Sequence, residues 1–222
     1  MIKKIFSVAL SFWVLSLASV VQAADSSQKN IRPLIYGGLA YGGDDMATFA
    51  TKSGDDVDVV AGGLFSFGAG VRAYLPKNKS VIVDVTLGYK FDSVDADNGD
   101  EASMSRLVLN AIPYYVAGNH QFGLGLTMHL NTSYEDNFSA GFSGLFPSRT
   151  TTDVDFGSDL GLVLDYGYSP NQQVATIGVK LTLITYTVDS VSISGFGTAS
   201  ASDVNFEDVD GNSVEIYALY AF

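Results

Sequence analysis

The chain has 222 residues, no cysteine, and 12 basic against 24 acidic residues, which gives a net charge of −12 at pH 7. This excess of acid argues against a nucleic-acid partner, because binding to phosphate backbones needs clustered Lys and Arg. The lack of cysteine excludes a disulfide scaffold. The length is that of a single domain, so stability has to come from one core or one closed sheet.

The first 23 residues have the order of a secretory signal peptide. Lys3 and Lys4 give a positive start, residues 5–21 are mostly apolar, and Val21-Gln22-Ala23 offers a small-x-small cleavage site. A retained membrane anchor is disfavoured by that cleavage site and by the polar segment 24–30. We therefore predict a signal peptide over 1–23 and an exported domain over 24–222.

Eight segments with period-two alternation follow, each about ten residues long, and this pattern is typical of transmembrane β-strands. No stretch after Ala24 reaches the length of a spanning helix. The predicted strands cover Arg32–Gly43, Gly62–Leu75, Val81–Phe91, Ser103–Val116, Phe122–Tyr134, Val154–Tyr168, Ala175–Val188 and Val214–Phe222.

The predicted connections alternate in length. Short turns at 76–80, 117–121 and 169–173 contain Pro, Gly and Asn, the residues that turns require. Longer polar loops are predicted at 44–61, 92–102, 135–153 and 189–213. Tight periplasmic turns and larger surface loops are typical of outer-membrane barrels. A strand count of ten stays open, since the fourth loop is long enough for an extra hairpin.

One face of each segment is apolar and the other carries glycine and charge. In a membrane the charged face has to line the lumen, because an Asp or Lys facing lipid costs about 2–4 kcal/mol near the midplane. In the fifth segment His129, Asn131 and Ser133 share the predicted inward face. The charged residues predicted to form a lumen network, with Asp92 as a further partner, are Arg72, Asp84, Lys90, Arg106, Asp155, Asp159, Asp165, Lys180 and Glu215.

Tyr and Phe concentrate at the predicted strand ends, as in the interfacial girdles of barrels. This favours a barrel over a soluble secreted sandwich, which would distribute aromatic residues through its core. The predicted periplasmic girdle contains Tyr74, Tyr114, Tyr115, Phe122, Tyr166, Tyr168, Tyr220 and Phe222, and the outer one Tyr41, Phe65, Tyr89, Phe91, Tyr134, Phe156 and Tyr186.

With its signal peptide, alternating segments and terminal Phe222, the chain resembles the small eight-stranded outer-membrane barrels: the OmpA membrane domain, OmpX, OmpW and the opacity-type porin-like proteins. The resemblance implies an all-β fold, a closed antiparallel up-and-down transmembrane barrel in the outer membrane. It also implies that the last strand, with Tyr220 and Phe222, is the signal read by the barrel-assembly machinery. Lipids and lipopolysaccharide would surround the protein.

The expected function is non-enzymatic: a structural or surface-interaction role through acidic loops and an unidentified surface ligand, with a charged network filling the lumen. A narrow channel for small or hydrophobic solutes is the alternative. A lipid A-modifying enzyme is less favoured, because the deacylase pattern has Ser two positions after His and this chain has Asn131 there. Ser133 would lie roughly 13 Å from His129 along a strand.

No cofactor or metal is expected. The acidic stretch Asp95–Glu101 has a loose likeness to a calcium loop, but Gly99 is fifth where an EF-hand needs glycine sixth. Glu207–Asn212 is equally loose. A solvated acidic loop is the preferred interpretation of both, and bridging of these carboxylates to lipopolysaccharide phosphates by divalent cations stays a hypothesis.

Overall fold

The computed structural model describes residues 30–50, 56–75, 80–95, 99–138, 150–170, 174–194, 197–200 and 207–222. The predicted signal peptide lies outside them. No helix in this part of the chain is long and apolar enough to cross a membrane. The strands in it are β1 (Ile31–Tyr41), β2 (Asp45–Ala50), β3 (Asp56–Val60), β4 (Phe65–Tyr74), β5 (Val81–Asp95), β6 (Glu101–Ala117), β7 (His120–Phe138), β8 (Thr150–Phe156), β9 (Asp159–Tyr168), β10 (Ala175–Leu183), β11 (Thr185–Tyr186), β12 (Val188–Ile193), β13 (Gly197–Ser200), β14 (Val209–Asp210) and β15 (Ser213–Ala221).

Eight of these strands form a closed antiparallel ring, in the order β1-β4-β5-β6-β7-β9-β10-β15. The seam joins β1 to β15, with pairs running from Leu34↔Ala221 to Tyr41↔Val214. Each ring strand overlaps one of the eight predicted segments, so the predicted eight-stranded barrel is confirmed.

The outer surface of the ring is a band of exposed apolar side chains. Leu124, Leu160 and Ile177 are 60%, 63% and 66% exposed. Tyr115, Phe122 and Phe222 lie exposed towards the predicted periplasmic end, and Phe65 stacks on Phe91 towards the other end with ring centroids 5.4 Å apart. An apolar belt of this extent on a soluble protein would be an aggregation hazard, whereas in a bilayer it is the lipid-facing surface.

Parts of the predicted surface loops continue as β-sheet. β5 and β6 pair out to Asp95↔Glu101, and β7 runs on to Phe138 and pairs with β8. β12 and β13 extend this sheet, which we call the outer wall: the ends of β5, β6 and β7 together with β8, β12 and β13. The predicted loop bounds at 92 and 135 are therefore wrong, because hydrogen-bonded pairing continues beyond the ring.

The inward face changes parity where two strands enter the outer wall. Asn131 has a φ of 49°, and the β6–β7 register shifts between Ser105 and Leu107, which is a β-bulge. Beyond it Thr132 and Tyr134 point inward and are buried. The prediction that Asn131 and Ser133 share the face of His129 is thus wrong, since the bulge adds one residue and inverts the alternation.

A break at Gly157 and Ser158, between β8 and β9, inverts the alternation in the same way. Phe156 is consequently buried, whereas Asp155 is exposed on the outside of the outer wall. Two residues predicted for opposite faces have exchanged places.

An apolar cluster closes the outer mouth of the ring. The chain returns from the β2–β3 hairpin through Val59 and Ala61, which pack into the space above the lumen. We call this group the outer cluster; it comprises Val59, Ala61, Ala102, Met104, Tyr134, Phe156, Ile184, Tyr186 and Val188. Tyr134, Phe156 and Tyr186 were predicted for the outer girdle, and Tyr114 for the periplasmic girdle. All four are instead buried inside the barrel.

Candidate functional site in the lumen

The candidate site is the charged interior of the ring, between the outer cluster and the periplasmic end. Seven of the nine predicted network residues lie there, each between 1% and 7% exposed. Asp155 does not, since it faces outward on β8. Asp159 is half-buried at the outer end of β9, opposite His129, and accepts a hydrogen bond from the Thr187 backbone N–H at 3.3 Å. The seven are Arg72, Asp84, Lys90, Arg106, Asp165, Lys180 and Glu215.

Arg72 and Asp84 form a buried two-pronged ion pair across β4 and β5. Arg72 Nε and Nη2 donate to the two carboxylate oxygens of Asp84 at 2.8 and 2.7 Å. Nη2 also lies 3.4 Å from Gln121 Oε1. The parallel donor geometry suits a guanidinium and a carboxylate, and satisfied partners are what make a buried pair tolerable.

Glu215 is the shared acceptor of the middle of the lumen. Lys180 Nζ donates to its Oε1 at 3.4 Å, Ser66 Oγ donates to the same oxygen at 2.9 Å, and Lys90 Nζ lies 4.0 Å from Oε2. The Lys180 ammonium sits 5.1 and 4.9 Å from the ring centroids of Tyr36 and Tyr217. Two aromatic faces therefore supplement one carboxylate in stabilising this cation.

Asp165 and Asp92 hold the two ends of this polar layer. Tyr217 Oη donates to Asp165 Oδ1 at 2.7 Å on the periplasmic side. Asp92 accepts a hydrogen bond from the Val60 backbone N–H at 3.2 Å, which ties the returning segment of the outer cluster to β5. Beside these polar residues, Ile82, Ile112, Tyr114, Val116 and Val163 form a buried apolar cluster.

Little space is left between these side chains. The two cavities that flank Lys180 have volumes of about 10 and 20 Å³, room for about one water molecule each. They share Tyr36, Asn110 and Lys180 in their walls. An eight-stranded ring is just wide enough to be filled by its own side chains, and the described residues fill it.

His129 is buried and pairs with an aromatic hydroxyl. Its Nδ1 lies 2.6 Å from Tyr186 Oη, and the Arg106 guanidinium sits 5.6 Å from the Tyr186 ring centroid. Ser133, beyond the bulge, does not share the face of His129. A serine nucleophile activated by this histidine would need hydrogen-bonding reach, whereas the imidazole is engaged by the Tyr186 hydroxyl.

Several lumen residues were missed from the sequence, above all Tyr36, Gln121, Tyr186 and Tyr217. The signal was present for two of them. Tyr186 has the same parity as Lys180 along one strand, and Tyr217 has that of Glu215. Tyr186 was missed because its place at a strand end predicted a girdle position, although its parity matched that of the inward charges.

The outside of the outer wall carries a second charged feature. Glu135 lies directly opposite Asp153, and Asp95 directly opposite Glu101, with Asp155 nearby on β8. These five residues are exposed, and we call them the acidic face. All the Lys and Arg residues in the described part of the chain lie on ring strands. Like charges directly opposite each other destabilise a strand pair, so the facing carboxylates of the acidic face repel each other.

No set of three or more His, Cys, Asp or Glu residues within the described ranges could hold a metal ion. The predicted stretch Asp95–Glu101 falls partly outside those ranges. The hypothesis of cation bridging through it therefore stays a prediction.

No protein-family model and no curated protein matches the chain. Solved structures do. A major outer membrane protein from Thermus thermophilus is 12% identical, with 87% of this chain and 100% of that chain covered and a TM-score of 0.51. Ail, the attachment invasion locus protein of Yersinia pestis, solved with the heparin analogue sucrose octasulfate, is 11% identical, with 87% of this chain and 100% of that chain covered and a TM-score of 0.46. The outer membrane protease OmpT of Escherichia coli is 9% identical, with 87% of this chain and 94% of that chain covered and a TM-score of 0.44.

The likeness to the Thermus protein concerns the fold. Together with the closed ring and its apolar exterior, it confirms the predicted transmembrane barrel of the outer-membrane type, and with it the predicted localisation.

Proposed function

We propose that this chain is a non-enzymatic surface barrel whose closed ring holds the acidic face above the membrane for interaction with a positively charged partner. The acidic face carries the proposal, because two carboxylate pairs stand opposite each other there without a basic residue among their described neighbours. A partner that supplies Lys, Arg or another cation relieves this repulsion on binding. Complementary charge of this kind also accelerates encounter.

The test uses a lysine-rich peptide as the probe and the barrel in detergent micelles. Neutralising three residues of the acidic face, Glu101→Gln, Glu135→Gln and Asp153→Asn, is expected to weaken peptide binding at least tenfold at low salt. The wild-type affinity itself should fall as ionic strength rises, since exposed charges are screened beyond about 10 Å at 0.1 M.

A matched control removes the same charge elsewhere, through Asp45→Asn, Glu207→Gln and Asp208→Asn, which lie outside the acidic face. Equal loss of binding in both triple variants would show that only net charge matters, and the acidic face would then have no specific role.

A closed lumen is the second part of the proposal. Its support is the filling described above, with cavities of about 10 and 20 Å³. In planar bilayers the purified barrel is expected to show no stable single-channel conductance. The narrow-channel alternative draws on the shared walls of the two cavities at Tyr36, Asn110 and Lys180. Steady conductance that changes in Arg72→Ala would establish that alternative.

The non-enzymatic part rests on His129, whose Nδ1 lies 2.6 Å from Tyr186 Oη and which makes no hydrogen bond to a serine among the described residues. Lipid A from a deletion strain should therefore have the same mass spectrum as that of the parent strain. A mass shift restored by the wild-type gene, but not by His129→Ala, would overturn this part.

A further inference from the structure

Arg106 is the one network cation in the described lumen whose guanidinium has no hydrogen-bond partner. It is 1% exposed, and its Nε, Nη1 and Nη2 are all unpaired. The other three make contacts: Arg72 with Asp84, Lys180 with Glu215, and Lys90 with Ser213 Oγ at 3.0 Å. A buried charge without a partner is strongly disfavoured. The residues around Arg106 therefore indicate which kind of ligand would pair with its guanidinium.

The residues that lie opposite Arg106 on the neighbouring strands carry no negative charge. Lys90 is its direct register partner on β5. On β7 the bulge leaves Asn131 and Thr132 opposite Arg106, and the buried Thr132 hydroxyl is also without a partner. Two cations side by side on adjacent strands repel each other, so neither register neighbour offsets the charge of Arg106.

The nearest carboxylates are already committed. Asp92 and Glu215 act electrostatically on Arg106, but neither lies within salt-bridge distance of it among the described residues. Asp92 accepts from the Val60 backbone, and Glu215 is shared by Lys180, Ser66 and Lys90. Tyr186 offers Arg106 only its ring face.

Gly63 closes the position from above. A Cβ built on it would lie 2.7 Å from Arg106 Nη2, so the guanidinium rests against the glycine backbone. Lys90 also lines a lumen cavity of about 10 Å³, whose walls include His129 but neither Arg106 nor Thr132. That is about the volume of one water-sized particle, which excludes sulfate, phosphate and organic acids.

We infer that the lumen binds one small monovalent inorganic anion, such as chloride, between Arg106, Lys90 and Thr132. A guanidinium, an ammonium and a hydroxyl supply N–H and O–H donors, and one negative charge offsets the repulsion between the two cations. A water molecule supplies acceptor lone pairs but no charge, so it would leave the repulsion between Arg106 and Lys90 in place. The anion site does not depend on a surface partner or on the acidic face.

Two measurements on the full mature barrel test this. In crystals grown with bromide in place of chloride, anomalous diffraction should place one bromide within hydrogen-bonding distance of the Arg106 guanidinium. In micelles at constant ionic strength, replacing gluconate with chloride should slow thermal unfolding, followed by loss of the compact band on gels. With chloride at ten times its dissociation constant, unfolding slows by up to about 11-fold.

Arg106→Met, of similar length and without charge, is expected to abolish the chloride effect. The matched control is Arg32→Met, which removes the same charge from the periplasmic end of β1, where Arg32 lies over the Tyr74 ring. It should retain the full chloride dependence.

Density for water alone at Arg106, a bromide bound elsewhere in the lumen, or equal chloride dependence in Arg106→Met and wild type would each overturn the site. The bromide measurement uses the wild-type chain and so decides the matter even where Arg106→Met fails to fold.

Discussion

Replacing Arg72 with methionine should lower the free energy of unfolding of the barrel by about 3–5 kcal/mol, the usual loss when one partner of a buried ion pair is removed. The structure favours a value within this range rather than below it. Asp84 is 2% exposed and would lose two short hydrogen bonds, at 2.8 and 2.7 Å, while keeping its charge. Gln121 would also lose a donor.

The double variant Arg72→Met/Asp84→Leu removes both charges and fills the space with apolar atoms. Most of the loss in the single variant comes from the Asp84 carboxylate, which stays buried and charged without a partner. The free energy of unfolding of the double variant should therefore lie within about 1–2 kcal/mol of the wild-type value or exceed it. Urea unfolding in lipid vesicles, followed by far-ultraviolet circular dichroism and by the gel shift between unboiled and boiled samples, measures both. If the double variant is as unstable as the single one, the carboxylate is not stranded, and the account of the lumen as a low-dielectric filled interior is wrong.

Further predictions concern the outer wall, the ring and the last strand. Asp136 lies in the outer wall, three residues beyond Ser133, which pairs with Ser105 and through it with Phe91. Burial raises the pKa of Asp136, although its carboxylate accepts a hydrogen bond from the Thr152 backbone N–H. The outer wall should thus lose stability as the pH rises above about 4, the ordinary pKa of an aspartate, and Asp136→Asn should flatten this dependence in limited proteolysis. Gly68→Ala should prevent folding, because its Cβ would lie 2.6 Å from Gly88 Cα, whereas Gly37→Ala, with 3.7 Å to the Ser66 carbonyl oxygen, should fold normally. Phe222→Ser should reduce the heat-modifiable form in outer-membrane fractions without changing synthesis; equal amounts would remove Phe222 as an assembly signal.

The alternation of side chains was enough to predict the ring but not the outer wall. Within the ring each residue faces either lipid or a polar interior, so period two is fixed by two contrasting environments. Lys90, Lys180 and Glu215 could be assigned inward on this basis. Lipid no longer contacts the outer wall, and there the contrast weakens to apolar inside against polar outside.

Two irregular positions account for the misplaced residues. The bulge at Asn131 and the break at Gly157 and Ser158 each shift the alternation by one, and neither has a distinctive sequence signal. Tyr134 and Phe156 therefore looked like girdle residues, and Asp155 like a lumen residue. The unpaired state of Arg106 could not be predicted either, because it depends on which side chains the closed ring places around the guanidinium.

The seam between β1 and β15 has a consequence for biogenesis. These two strands exchange eight register pairs while lying more than 170 residues apart in the chain, so the last strand to be made completes the circle begun by the first. Every earlier stage has two open sheet edges and an apolar outer face, a state prone to aggregation in water. The ring is therefore expected to close only where lipid can receive its apolar exterior.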